Sequence, residues 1–184
     1  MKTIGVLALQ GDFEAHRRAI EAAGGRAVEV RTAAEMQTCD GLILPGGEST
    51  TMLKLLDMEN LTEPLRAFAA SKAVFGTCAG AILLAQSVTH PAQSSLQLLD
   101  IDVERNGYGR QLDSRIASID TAEGTVEAVF IRAPIIRRVG TAARVLATYG
   151  QDPVWVEQGR HMVTTFHPEL SAGSAVHRRF LSRI

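Results

Sequence analysis

Short apolar runs at residues 3–9, 27–30, 41–44 and 73–75 alternate with helical patterns through the first 86 residues. No other feature narrows the fold as much. A short strand apolar along its whole length is buried on both faces, and strands joined by helices run parallel. Phe13, Ala19, Ile20 and Ala23 recur at helical spacing before Gly24-Gly25 stops the helix. Residues 50–57, 61–71 and 79–86 also read as helices. The second half has strand candidates at 98–103, 115–119, 126–130, 144–148, 154–157 and 162–166, with few helical patterns between them and a last helix at 174–182. The expectation is an α/β domain with a mostly parallel central sheet and antiparallel additions in its second half. With no linker, repeat or low-complexity stretch, residues 1–184 read as one domain.

Composition removes several classes of function. Hydrophobic residues make up 46% of the chain, which argues against disorder. A net charge of -1 gives no broad field to attract nucleic acid or an anionic membrane. No apolar run approaches a membrane span, and the first residues run into a strand without the regions of a signal peptide. Two cysteines, Cys39 and Cys78, make no disulfide framework and no Cys-x-x-Cys metal spacing. A cytosolic, reduced protein with a persistent free thiol is the simplest reading.

Gly76-Thr77-Cys78-Ala79-Gly80 follows the pattern Gly-x-nucleophile-x-Gly between a strand and a helix. A tight turn there strains the central backbone and pushes the side chain outward, while small neighbours relieve the crowding. The N-terminus of the following helix favours a thiolate, and its free N–H groups can bind an oxyanion. Five residues alone fit equally a small buried cysteine. Cys39, before a buried strand, reads as that kind.

A cysteine nucleophile needs a base, and the base needs an orienter. His16 and His177 sit on helices beside arginines and read as solvated; His90 lies in a loop before Pro91, and His161 opens a strand. His167 instead follows an apolar strand directly, in Phe166-His167-Pro168-Glu169. Pro168 biases it toward an extended backbone. Glu169 is near enough to bond the imidazole N–H and select its tautomer. A surface turn closed by a polar pair fits the tripeptide as well. Leu44-Pro45-Gly46-Gly47-Glu48-Ser49-Thr50 ends another buried strand. Its paired glycines let backbone N–H groups approach a ligand, and it lacks the Gly-Lys-Ser/Thr of a Walker A loop.

With these segments in order, the chain resembles the class I, triad-type glutamine amidotransferases. Within them it is similar to the glutaminase subunits of pyridoxal 5′-phosphate synthases, essentially over its whole length. The class is carried by the Cys78 turn and by His167-Pro168-Glu169. The narrower likeness is carried by residues 4–11 and 44–51, Val103-Glu104-Arg105-Asn106, Tyr108-Gly109-Arg110-Gln111 and Phe130-Ile131-Arg132-Ala133-Pro134.

The resemblance implies a three-layer, flavodoxin-like fold and hydrolysis of L-glutamine to glutamate and ammonia. It implies that Cys78 attacks the carboxamide, His167 moves the protons and Glu169 orients His167. Gly46, Gly47, Glu48, Ser49, Arg105, Ile131 and Arg132 would bind or enclose glutamine, and Gly47 and Ala79 would supply the oxyanion site. No cofactor or metal is implied. The implied partner is a (β/α)₈-barrel synthase subunit that uses the ammonia and activates the glutaminase, docking near the site mouth and the loop after Gln10. Cys39 and residues 90–95 read as variable filler. A glutaminase of another pathway, an unrelated cysteine hydrolase or chaperone-like protein, and a non-catalytic docking subunit are the competing readings.

Overall fold

The computed structural model describes residues 1–11, 13–106 and 115–184. The first half alternates strand and helix: β1 (Thr3–Leu7), α1 (Phe13–Ala22), β2 (Arg26–Val30), α2 (Ala33–Gln37), β3 (Gly41–Leu44), α3 (Ser49–Met58), α4 (Thr62–Ser71), β4 (Ala73–Thr77) and α5 (Ala79–Leu84). The second half is mostly strand: β5 (Ala85–Thr89), β6 (Leu99–Glu104), β7 (Arg115–Thr121), β8 (Gly124–Phe130), β9 (Ile135–Val139), β10 (Arg144–Tyr149), β11 (Asp152–Gln158) and β12 (His161–Thr164). A 3₁₀ turn (Pro168–Leu170) and α6 (Ala175–Leu181) follow.

Seven strands form the central sheet in the order β10-β11-β12-β4-β3-β1-β2. From β12 to β2 every pairing is parallel, and β11 and β10 extend the sheet antiparallel from β12. The period-two alternation of the strands feeds two cores. Leu7, Leu42, Leu44 and Val74 pack with Met36, Met52, Leu56 and Phe68 of α2, α3 and α4. Ile4, Val6, Ile43 and Phe75 point to the other face, with Ile20 of α1 and Phe180 of α6. Each such fully buried side chain contributes about 1.5–3 kcal/mol relative to exposure. The α/β architecture therefore has helices on both faces of a mostly parallel sheet.

The structure departs from the expected elements in four places. The helix expected at 79–86 ends at Leu84, because Ala85 is extended (φ -64°, ψ 154°) and opens β5. β5 pairs in parallel with β6, and β6 pairs antiparallel with β9, in a separate three-stranded sheet. β7 and β8 form a two-stranded unit of their own, so five of the described strands of the second half, β5 to β9, lie outside the central sheet. α2, which the apolar spacing does not announce, is held by a capping box between Thr32 and Glu35.

Candidate active site

The Cys78 turn is built by close packing. A Cβ on Gly76 would lie 2.5 Å from the backbone of Gly80, and one on Gly80 would lie 2.1 Å from the Leu44 carbonyl oxygen. Only glycines let α5 start this near β3 and β4. Cys78 carries the strain of the reversal, with φ 50° and ψ -104°; such a backbone costs of order 1–3 kcal/mol. Its N–H donates to the Thr164 carbonyl at 2.9 Å, and its Sγ lies 3.8 Å from the Ile131 carbonyl oxygen. Cys78 is 7% exposed.

Sheet register brings His167 to this turn. β12 runs parallel beside β4 with Thr164 opposite Thr77, so both chains leave the sheet at the same end. Such carboxyl ends are where ligands bind in parallel sheets. The His167 N–H donates to the Val129 carbonyl at 2.8 Å. Its Nδ1 is 2.7 Å from Glu169 Oε1, a carboxylate only 3% exposed on the 3₁₀ turn. Burial alone would push the His167 imidazolium down. Hydrogen bonds from the ring to Cys78 Sγ and to the Glu169 carboxylate outweigh burial and lift its pKa to about 10. For Glu169, burial raises and the His167 bond and the His16 charge lower, and the net direction is down.

Linkage gives this a testable sign. A histidine whose pKa rises from 6.5 to about 10 on folding stabilises the fold fully below about pH 6.5, and that contribution is lost as the pH climbs through 10. Cys78→Ala removes one of the two partners, so His167 then titrates at lower pH. A ¹⁵N imidazole NMR titration reads this directly; an unmoved midpoint would mean that Glu169 alone sets it.

The glycine loop after β3 faces the same site. A Cβ on Gly46 would sit 2.5 Å from His167 Cε1. Gly47 has φ +140°, a conformation that favours glycine, and Gln10 lies over it, donating from Nε2 to the Glu48 carbonyl at 2.6 Å. Glu48 caps α3, accepting from the Thr50 and Thr51 N–H groups at 3.1 and 2.7 Å. Its bond to the Thr51 hydroxyl, with those N–H groups, holds its carboxyl down at about 2. Arg105 joins it, Nη2 to Oε1 at 3.0 Å. Ser49 is buried, and Ala79, also buried, is the first residue of α5. Ile131 and Arg132 follow β8, and Arg132 has φ 47°.

The structure thus brings Cys78, His167 and Glu169 into one chain of contacts, with the glycine loop against the His167 ring. Tyr108 to Gln111 lie outside the described residues. Three features escape the sequence reading. His16 and His177 are not solvated: they are 0% and 1% exposed, and His16 reaches within 3.6 Å of Glu169. Their phase was the available signal. His16 stands four residues before Ile20, and His177 three before Phe180, both buried, while Arg17 turns outward to Glu14 and Glu21. Residues 90–95 are not mere filler, since Gln93 Oε1 accepts from the Ser49 hydroxyl at 3.1 Å and Asn106 holds the His90 carbonyl at 2.7 Å.

Comparison with known proteins adds the following. A family model described as the SNO glutamine amidotransferase family matches residues 6–184. Pyridoxal 5′-phosphate synthase subunit PdxT of Solibacter usitatus is 57% identical, with 100% of each chain covered. The subunit of the same name from Deinococcus radiodurans is 52% identical, covering 97% of this chain and 95% of the relative. A crystal structure of a glutamine amidotransferase superposes with a TM-score of 0.92 at 43% identity, over 98% of this chain and 97% of the other.

Proposed function

The chain belongs to the SNO glutamine amidotransferase family, and from that membership we infer that it is the glutaminase subunit of a pyridoxal 5′-phosphate synthase, hydrolysing L-glutamine and passing the ammonia to a synthase subunit for vitamin B6 synthesis. The observation that carries the assignment to residues is the line of contacts Cys78, His167, Glu169, buried at the carboxyl end of the parallel strands.

In the mechanism we propose, the Cys78 thiolate attacks the carboxamide carbon of glutamine. The carbonyl electrons move to oxygen, and the oxyanion is met by backbone N–H groups at Gly47 and Ala79. Losing one such donor costs about 2.7–4 kcal/mol in comparable hydrolases. The His167 imidazolium gives its proton to the departing nitrogen, and ammonia leaves a γ-glutamyl thioester on Cys78. Neutral His167 then takes a proton from water as the water attacks the thioester, and glutamate departs as the thiolate is restored. Glu169 keeps the His167 Nδ1–H pointed at itself, which leaves Nε2 for the chemistry. Gly46, Glu48, Ser49, Arg105, Ile131 and Arg132 form the glutamine pocket. Glu48 stays ionised there, and its bond to Arg105 ties the loop after β3 to the end of β6.

The partner in this proposal is a (β/α)₈-barrel synthase subunit, and the setting is the cytoplasm. Free ammonia is protonated and diluted in water, so a tethered acceptor is what makes its release useful. Residues 1–184 act as one domain. Among the described residues no helix is long and apolar enough to cross a membrane.

Glutamate release from glutamine, titrated with the synthase subunit, tests the assignment. The expected result is a rate that rises with the partner and saturates at a fixed ratio. Full activity without the partner would refute gating by the partner. No release at any ratio would refute the glutaminase reading and leave a docking subunit.

A further inference from the structure

Glu169 is a buried carboxylate whose Oε1 is hydrogen-bonded to His167, and its Oε2 has no hydrogen-bond partner among the described residues. In the mechanism above, that partner is neutral for part of every turnover. A buried carboxylate beside only a neutral ring tends to take up a proton or swing away, because its charge is poorly solvated. Something further has to hold it.

The ring behind it is His16, carried by α1 and fully buried. Its Nε2 lies 3.6 Å from Glu169 Oε1 and 3.5 Å from the hydroxyl of Thr77, the residue before Cys78. Its Nδ1 lies 3.3 Å from Nε2 of His177, on α6. Burial drives His177 toward the neutral form. A neutral imidazole has one N–H and one lone pair. His177 Nδ1 has no hydrogen-bond partner among the described residues, while its Nε2 faces His16. With both rings neutral, His177 Nε2–H donates to His16 Nδ1, which leaves the lone pair of His177 on Nδ1 and the His16 proton on Nε2. His16 then presents that N–H to Glu169.

We propose that His16 is a positioning residue of the hydrolytic site, holding Glu169 from behind through Nε2–H so that the carboxylate stays ionised and aimed at His167 Nδ1 while His167 is neutral. His177 fixes the orientation of the His16 ring. Among the described residues, the charged and titratable groups facing His16 include Glu169 from the 3₁₀ turn and His177 from α6, with His167 and Cys78 one contact further on. The bland alternative is a polar plug that fills space between α1, α6 and the sheet. This inference rests on the Cys78, His167, Glu169 reading, so its test has to separate the two.

The test measures kcat and KM for glutamine in the complex with saturating synthase subunit, for E169Q, H16F, H16Q and H16N. We expect H16F to lower kcat about tenfold or more, with KM within about twofold and thermal unfolding close to wild type. H16Q, whose amide can reach where Nε2 lies, should recover most of the loss, and the shorter H16N should not. Wild-type kcat in H16F alongside a crippled E169Q would overturn the role of His16 and leave the triad standing. Wild-type kcat in E169Q would overturn the triad reading itself. Equal losses in H16F and H16Q, or a loss confined to KM, would reduce His16 to packing. Should H16F fail to fold, the contrast between H16Q and H16N decides, and equal rates in those two would overturn the proposal.

Discussion

Cys78→Ala should stop glutamine-dependent synthesis in the assembled enzyme, by about 10⁴-fold or more as expected for loss of a nucleophile, and leave synthesis from added ammonium unchanged. The substitution is mild in every structural respect. It removes one atom from a residue 7% exposed, whose backbone N–H still donates to Thr164. Alanine at φ 50° bears the same kind of strain as cysteine does there. The lost contact, from Sγ to the Ile131 carbonyl at 3.8 Å, is weak. If Cys78 were merely a small buried hydrophobe, stability would drop slightly and glutamine would still be used. If it is the nucleophile, the thioester cannot form, and the partner's own chemistry is spared because ammonium bypasses this subunit. Both activities should be assayed on one preparation whose complex formation is verified. Loss of both with the complex intact would contradict the division of labour.

The parts of this molecule that were legible in sequence are those where one local pattern answers one physical demand. The inner parallel strands β1, β3 and β4 read clearly because each is a short apolar run buried on both faces, from Ile4 and Val6 in β1 to Val74 and Phe75 in β4, whereas β2, at the sheet edge, exposes Arg26 and Glu29. The Cys78 turn read clearly because its glycines answer contacts of 2.5 and 2.1 Å that no side chain could share. The end of α5 was missed because no glycine or proline marks it. Ala85 turns extended to pair with β6, a contact with Leu99 that local propensity does not contain. β9 was missed for a like reason: its residues Ile135 to Val139 are fixed by antiparallel pairing with β6. His16 and His177 were misplaced because histidine beside two arginines looks solvated, and only their helical phase and a contact across 161 residues put them together.

Gly46→Ala should lower the glutaminase kcat by about 10²-fold, with a loss of stability of about 1–3 kcal/mol from overpacking. The position has no positive φ, so an alanine there meets no backbone penalty. Its Cβ would instead stand 2.5 Å from His167 Cε1 and 3.2 Å from Nδ1. Atoms that near must part. The loop is poorly placed to yield, since the Gly46 carbonyl is already close-packed on Gly11, where a Cβ would lie 2.4 Å from it. The ring has to move, although its backbone is tied to Val129 and its Nδ1 to Glu169. A displacement of roughly an ångström in a proton-transfer group is worth about 10²-fold in rate. Gly24→Ala is the natural opposite. Gly24 has φ +93° and open space where a Cβ would go, far from the site in sequence and at the end of α1. There the backbone bears the cost, more than about 1 kcal/mol, and the rate per folded molecule should hold. A G46A protein within threefold of the wild-type rate would mean that the ring does not need its place against the glycine loop, and the geometry argued for the base would fail with it.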